Sequence, residues 1–172
     1  LIMNPMIIPK PLKLEVHENH FTLKDNFIVY LDSKLDLELI PIFIRDHILP
    51  PTGFHFQIER SEQENVQLCF IYNDQIGKEG YELKLTTEKL TIAASTKSGH
   101  FYGLVTFMQL FPSEIFSDVK SEKVTSWDAP CVTIEDCPQY SWRGMLLDCS
   151  RHFFTVSEVK KFIYWMSLHK LN

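Results

Sequence analysis

Trp142-Arg143-Gly144-Met145-Leu146-Leu147-Asp148-Cys149-Ser150-Arg151, continuing through His152-Phe153-Phe154-Thr155-Val156-Ser157-Glu158, is the stretch on which the fold of this 172-residue chain turns. Its first half is a short strand, with Met145, Leu146 and Leu147 as its apolar run, ending in polar residues. Thr155 and Glu158 have the spacing of a capping box, in which each side chain satisfies a backbone amide at a helix start. Val159, Phe162, Ile163 and Met166 then fall at i, i+3, i+4 and i+7, which predicts an amphipathic helix to about Leu168. Strand, loop and helix make one unit of a parallel α/β fold. Such a unit cannot bury itself, because its strand needs parallel neighbours. The 172 residues stop where the next strand is expected.

Upstream the pattern differs. Pro5, Pro9 and Pro11 mark an extended lead-in. Strands are predicted at Leu12–Val16, Phe27–Leu31, Phe54–Glu59, Val66–Tyr72, Tyr81–Leu85, Leu90–Ala94 and Val132–Ile134 from their β-branched and aromatic residues or their alternation. Thr86-Thr87-Glu88-Lys89 is a four-residue connection suited to a hairpin. Ile40, Phe43, Ile44 and Ile48 define one face of a helix from about Leu37 to Leu49, closed by Pro50-Pro51-Thr52-Gly53; Pro41 fits only in its first turn. Phe101, Leu104, Val105 and Met108 stripe a second helix, about Lys97 to Leu110, stopped by Pro112. Ser113 to Ser126 is mostly polar and reads as a long loop. Helices on one face of a mostly antiparallel sheet are the simplest packing of this order, an α+β class.

Composition narrows the function. Seventeen basic against twenty-two acidic residues give a net charge of −5, which argues against nucleic acid and anionic membrane as partners. No apolar run reaches the ~18–20 residues of a membrane span. Cys69, Cys131, Cys137 and Cys149 form no CxxC pair, so buried free thiols are expected, with a Cys131–Cys137 disulfide left open. The opening Leu1-Ile2-Met3-Asn4-Pro5 reads as the edge of a longer precursor, and no Asn-x-Ser/Thr sequon occurs.

Asp136-Cys137-Pro138-Gln139-Tyr140-Ser141 leading into Trp142-Arg143-Gly144, then Leu147-Asp148-Cys149-Ser150-Arg151-His152-Phe153, resembles the entrance to the catalytic barrel of glycoside hydrolase family 20, the β-N-acetylhexosaminidases. His169-Lys170-Leu171-Asn172 is similar to the end of that family's first barrel helix. Ser98-Gly99-His100-Phe101-Tyr102-Gly103-Leu104 is similar to the helix of its non-catalytic domain; Gly80-Tyr81-Glu82-Leu83 and Ile8-Pro9-Lys10-Pro11 fit as well. Residues 12–75 match only in pattern. The resemblance implies an amino-terminal α+β domain over residues 1–134 and, over 135–172, the first βα unit of a truncated (β/α)8 barrel. It also implies a secreted or periplasmic enzyme that removes terminal β-linked N-acetylglucosamine or N-acetylgalactosamine from glycans. The family is one of the substrate-assisted exceptions to two-carboxylate hydrolysis: the substrate's 2-acetamido group is the nucleophile. The resemblance places the Asp–Glu pair that assists it after the fourth barrel strand. No catalytic residue is therefore expected in these 172 residues, which alone should be inactive. The other reading is a stand-alone glycan-binding or interaction module.

Carried over residue by residue, the resemblance makes Arg143 a substrate contact, a task its five-donor fork suits. Against this, barrel sites lie at the carboxyl ends of strands and Arg143 precedes its strand. Asp148, Arg151 and His152 are expected to support the active-site loop, Asp148 pairing with Arg151. The other histidines, His17, His20, His47, His55, His100 and His169, have no metal-ligand spacing and no HExxH occurs, so neither metal nor cofactor is expected. Glu62, Glu64, Asp25, Asp32 and Asp36 read as solvated loop charges. Trp142 and Phe153 suit stacking on sugar, and Trp165 suits core packing. The unpartnered barrel unit is expected to drive association of copies of the chain.

Overall fold

The computed structural model describes residues 5–34, 36–61 and 64–172, and the chain divides after Cys137 into two compact units. Glu62 and the opening Leu1 to Asn4 lie outside the described residues. The division falls beyond Ile134 because the last strand of the first unit runs on to Asp136.

The first unit is one seven-stranded sheet. In chain order its elements are β1 (Lys13–Leu23), β2 (Phe27–Leu31), α1 (Leu39–His47), α2 (Leu49–Thr52), β3 (Phe56–Glu59), β4 (Val66–Tyr72), β5 (Tyr81–Leu85), β6 (Leu90–Ala94), α3 (Lys97–Met108), a 3-10 turn (Ser113–Phe116) and β7 (Trp127–Asp136). The spatial order is β1-β7-β5-β6-β4-β2-β3. The α+β class is as expected, but the sheet is mixed rather than mostly antiparallel. β1–β7, β7–β5 and β5–β6 are antiparallel, whereas β6–β4, β4–β2 and β2–β3 are parallel. Two connections account for the outer two of these parallel pairs, β2–β3 and β6–β4. α1 and α2 return the chain so that β3 runs beside β2. β5 is laid down one place away from β4, and the hairpin then brings β6 back into the gap. Leu85 opposite Leu90, with the Thr86 amide donating to the Lys89 carbonyl at 3.0 Å, closes that hairpin where the turn residues predict it.

Strands β1 and β7 are longer than expected. β1 passes a register shift between Val16 and His20, with Asn19 in the left-handed region at φ 78°. Pro130, which has no amide to give a ladder, sits opposite His20 just past that shift, and β5 pairs no further along β7 than Val132. The first helix begins at Leu39, so Pro41 lies in its first turn, where no intrahelical donor is required. Gly53, at φ 69°, caps α2 in the left-handed conformation that glycine adopts without strain.

The helix α3 packs closely because of two glycines. A Cβ on Gly99 would lie 2.3 Å from the Gly80 carbonyl oxygen, and one on Gly103 would lie 2.6 Å from Cγ2 of Ile92. At its start the Thr96 hydroxyl accepts from the Gly99 amide at 3.2 Å. The sequence predicts one apolar stripe, yet nearly every residue from Gly99 to Met108 is buried. Phe101 meets Phe43 of α1 edge-on at 5.0 Å, and Phe107 meets Phe21 at 6.0 Å and Phe111 at 4.9 Å.

Polar groups in this core are satisfied. Tyr81 is 1% exposed, and its hydroxyl meets Thr106 Oγ1 at 2.6 Å and donates to Asp136 Oδ2 at 2.9 Å. Burial pushes its pKa well above the usual phenol value. His100 is fully buried, with Nδ1 2.9 Å from the Thr96 carbonyl and Nε2 2.9 Å from the Ile71 carbonyl. Burial pulls its pKa below the ordinary imidazole value, against the two carbonyls and Asp32. Asp32 accepts the Lys34 amide at 2.9 Å and the Tyr72 amide at 3.1 Å, so it joins loop to β4 instead of being a solvated charge. Cys131 and Cys137 are both free thiols, not a disulfide; of the four cysteines Cys69 and Cys131 are buried and Cys137 and Cys149 are exposed. No helix among the described residues is long and apolar enough to cross a membrane.

Candidate substrate-contact site

The second unit is built around α4 (Val156–Leu168). Thr155 and Glu158 form the capping box: the Glu158 amide donates to Thr155 Oγ1 at 3.3 Å and the Thr155 amide to Glu158 Oε2 at 2.7 Å. That amide, more than any other partner, holds the Glu158 carboxyl below its usual pKa. At the other end the Lys170 amide bonds the Ser167 carbonyl at 3.0 Å and the Leu171 amide the Met166 carbonyl at 3.1 Å. This is a Schellman turn with a lysine in the left-handed position, φ 57°, where glycine is usual. Residues 142–151, expected to be a barrel strand with a polar end, take part in no strand pairing among the described residues. The reason is physical: a parallel strand is held by ladders on its neighbours, and the seven paired strands all belong to the first unit.

The Schellman turn brings the end of α4 back to Arg143. The Arg143 guanidinium donates from Nε to the Lys170 carbonyl at 2.9 Å and from Nη1 to the Tyr140 carbonyl at 2.5 Å. Its backbone is fixed as well, the Arg143 amide donating to Asn172 Oδ1 at 3.0 Å and the Asn172 amide to the Arg143 carbonyl at 2.9 Å. Two carbonyls on different sides of the sequence thus set the plane of the fork. A guanidinium is a planar fork of five N–H donors, a geometry suited to oxygen acceptors such as carbonyls and hydroxyls.

Asp148 and Arg151 stand apart from that network. Arg151 Nε donates to Asp148 Oδ2 at 2.5 Å, and Asp148 Oδ1 accepts the Ser150 amide at 2.8 Å and the Arg151 amide at 3.4 Å. The Arg151 side chain, ahead of the two amides, keeps the Asp148 carboxyl below its usual pKa. With the Arg151 side chain 88% exposed, solvent screens the pair, which serves mainly to shape the loop. The ring of His152 lies edge-on to Phe154 at 4.9 Å. Trp142 and Phe153 are exposed, as stacking residues must be, but Trp165 is half-exposed instead of packed in a core. Among the described residues no group of three or more His, Cys, Asp or Glu could hold a metal ion.

Lys170 and Asn172 were not legible as partners of Arg143. They lie 27 and 29 residues away, and the left-handed turn that returns them is occupied by lysine, so no glycine marks it. Asp136, the partner of Tyr81, escaped for the same reason of distance.

Comparison with known proteins agrees with both units. The model of glycosyl hydrolase family 20, domain 2 matches residues 4–137, and that of the family 20 catalytic domain matches residues 140–172. The chain belongs to glycosyl hydrolase family 20. It is 30% identical over 169 residues to a β-hexosaminidase of Porphyromonas gingivalis, covering 96% of this chain and 21% of that protein. A β-N-acetylhexosaminidase of Cellulomonas fimi is 28% identical over 170 residues, covering 96% of this chain and 33% of that one. The solved family 20 β-N-acetylhexosaminidase of Streptomyces coelicolor superposes with a TM-score of 0.86 at 29% identity, covering 99% of this chain and 35% of the other. The chain thus spans between about a fifth and a third of the length of these relatives.

Proposed function

We propose that these residues are the amino-terminal part of a β-N-acetylhexosaminidase that removes terminal β-linked N-acetylglucosamine or N-acetylgalactosamine from glycans by substrate-assisted hydrolysis. The observation that carries this reading is the catalytic-domain match over residues 140–172, directly following the domain 2 match over residues 4–137. It favours an enzyme over a stand-alone glycan-binding module. Within it the first unit is the accessory domain, and the second opens the catalytic barrel. Arg143 contacts the terminal sugar, while Asp148, Arg151 and His152 shape the loop beside it. Neither a metal nor a cofactor is required by substrate-assisted chemistry.

A comparison of two preparations tests this. The full-length protein should hydrolyse a chromogenic β-N-acetylglucosaminide, and the 172-residue chain should not, because the carboxylate pair that assists the acetamido group and the leaving group lies outside it. Turnover by the purified 172-residue chain above a buffer blank would overturn the assignment of roles.

The second unit also bears on association. Trp142, Met145, Leu146, Phe153, Val156 and Ile163 are each more than half exposed. Fully burying such a side chain is worth ~1.5–3 kcal/mol, so together they favour a partner. In the 172-residue chain that partner is a second copy, and deleting residues 140–172 should shift the protein towards monomer. Light scattering decides: a 172-residue chain that stays monomeric at high concentration contradicts self-association.

A further inference from the structure

We propose that Asn172 is a positioning residue for Arg143, holding its backbone so that the guanidinium meets the sugar at one fixed orientation; this rests on the reading of Arg143 as the substrate contact. Three hydrogen bonds carry the inference. The Arg143 amide donates to Asn172 Oδ1 at 3.0 Å, the Asn172 amide donates to the Arg143 carbonyl at 2.9 Å, and Asn172 Nδ2 donates to the Ser141 carbonyl at 2.8 Å. One side chain thus accepts from the residue that bears the guanidinium and donates to the residue two before it. Both chain directions around Trp142 are pinned to the same amide.

The carboxamide is suited to this because it combines an acceptor and two donors on one planar group. Aspartate keeps the acceptor for the Arg143 amide but sets a carboxylate oxygen against the Ser141 carbonyl. Alanine removes both side-chain contacts and leaves the Asn172 amide in place. The approach of Asn172 is fixed in turn by the Schellman turn, whose Lys170 carbonyl also receives Arg143 Nε at 2.9 Å. Backbone and guanidinium of Arg143 are therefore referenced to the same three-residue segment after α4. Holding a binding group within a fraction of an ångström by such supporting contacts is what converts its hydrogen bonds into rate.

The test is a double-mutant cycle in the full-length enzyme, read as kcat/KM on a chromogenic β-N-acetylglucosaminide. Asn172→Ala should lower kcat/KM by roughly 10-fold, the scale of losing one or two neutral hydrogen bonds. If Asn172 acts through Arg143, the same change in an Arg143→Lys background should cost less than about 2-fold, because residues sharing one network are not additive. Should Asn172→Ala fail to fold, Asn172→Asp takes its place in the cycle with the same expected non-additivity. An unchanged kcat/KM in Asn172→Ala, or an equal loss in both backgrounds, overturns the positioning role and leaves Asn172 a purely structural cap. An unchanged kcat/KM in Arg143→Lys alone overturns instead the substrate contact on which the proposal stands.

Discussion

Arg143→Lys in the full-length enzyme is expected to lower kcat/KM by roughly 10²-fold, about 3 kcal/mol of transition-state stabilisation. The geometry gives the reason. Nε and Nη1 of Arg143 serve two carbonyls, Lys170 at 2.9 Å and Tyr140 at 2.5 Å, and these fix the plane in which the fork presents its donors. A lysine has one ammonium on a flexible stem and no planar fork. Its three donors rotate freely about one nitrogen, so a bond to one of those carbonyls does not fix the direction of the others towards a sugar oxygen. Steady-state kinetics on a chromogenic β-N-acetylglucosaminide read the change, and the thermal midpoint of the variant establishes that it is folded. Wild-type kinetics in a folded Arg143→Lys variant would reduce Arg143 to a structural tie between Tyr140 and Lys170.

Gly99→Ala should destabilise the first unit by at least about 2 kcal/mol. An added Cβ would stand 2.3 Å from the Gly80 carbonyl oxygen and 2.8 Å from the Ala94 Cβ, and neither is the end of a flexible side chain. α3 would have to move away from the strands it buries, and overpacking of this kind costs ~1–3 kcal/mol or more. The better helix propensity of alanine returns only about 1 kcal/mol. Gly77→Ala is the matched control, since a Cβ added there would meet nothing within 4 Å; it should stay within about 0.5 kcal/mol of wild type. Urea unfolding of the two variants compares them. Equal midpoints would mean that α3 does not need the close approach that Gly99 permits.

Local signals in the sequence carried far, and non-local ones did not. The capping box at Thr155 and Glu158, the hairpin across Thr86 to Lys89 and the start of the second long helix at Lys97 all depend on residues within a few positions of one another. Each is found where the sequence predicts it. The three parallel ladders bring together strands separated by an intervening helix or hairpin, and alternation along one strand says nothing about its neighbour's direction. Pro130 and Asp128 broke the strand pattern of β7, although the register shift opposite Pro130 accommodates it. The burial of α3 on nearly every side could not be told from a stripe of four residues. At the site, the helix after the capping box was legible, whereas the strand expected before it is unpaired among the described residues. The ties of Arg143 to Tyr140, Lys170 and Asn172 depend on a left-handed turn at Lys170 that no glycine announces.

The most direct measurement of the proposed activity uses the full-length protein and two chromogenic β-glycosides that differ only at carbon 2, one with an acetamido group and one with a hydroxyl. In substrate-assisted hydrolysis the acetamido oxygen is the nucleophile, so the 2-hydroxy compound lacks the group that attacks. The expected result is turnover of the acetamido glycoside, with retained β-configuration in the released sugar, and no turnover of the 2-hydroxy glycoside above a buffer blank. Comparable rates on the two glycosides, or release of the inverted sugar, would contradict a family 20 β-N-acetylhexosaminidase mechanism for this protein.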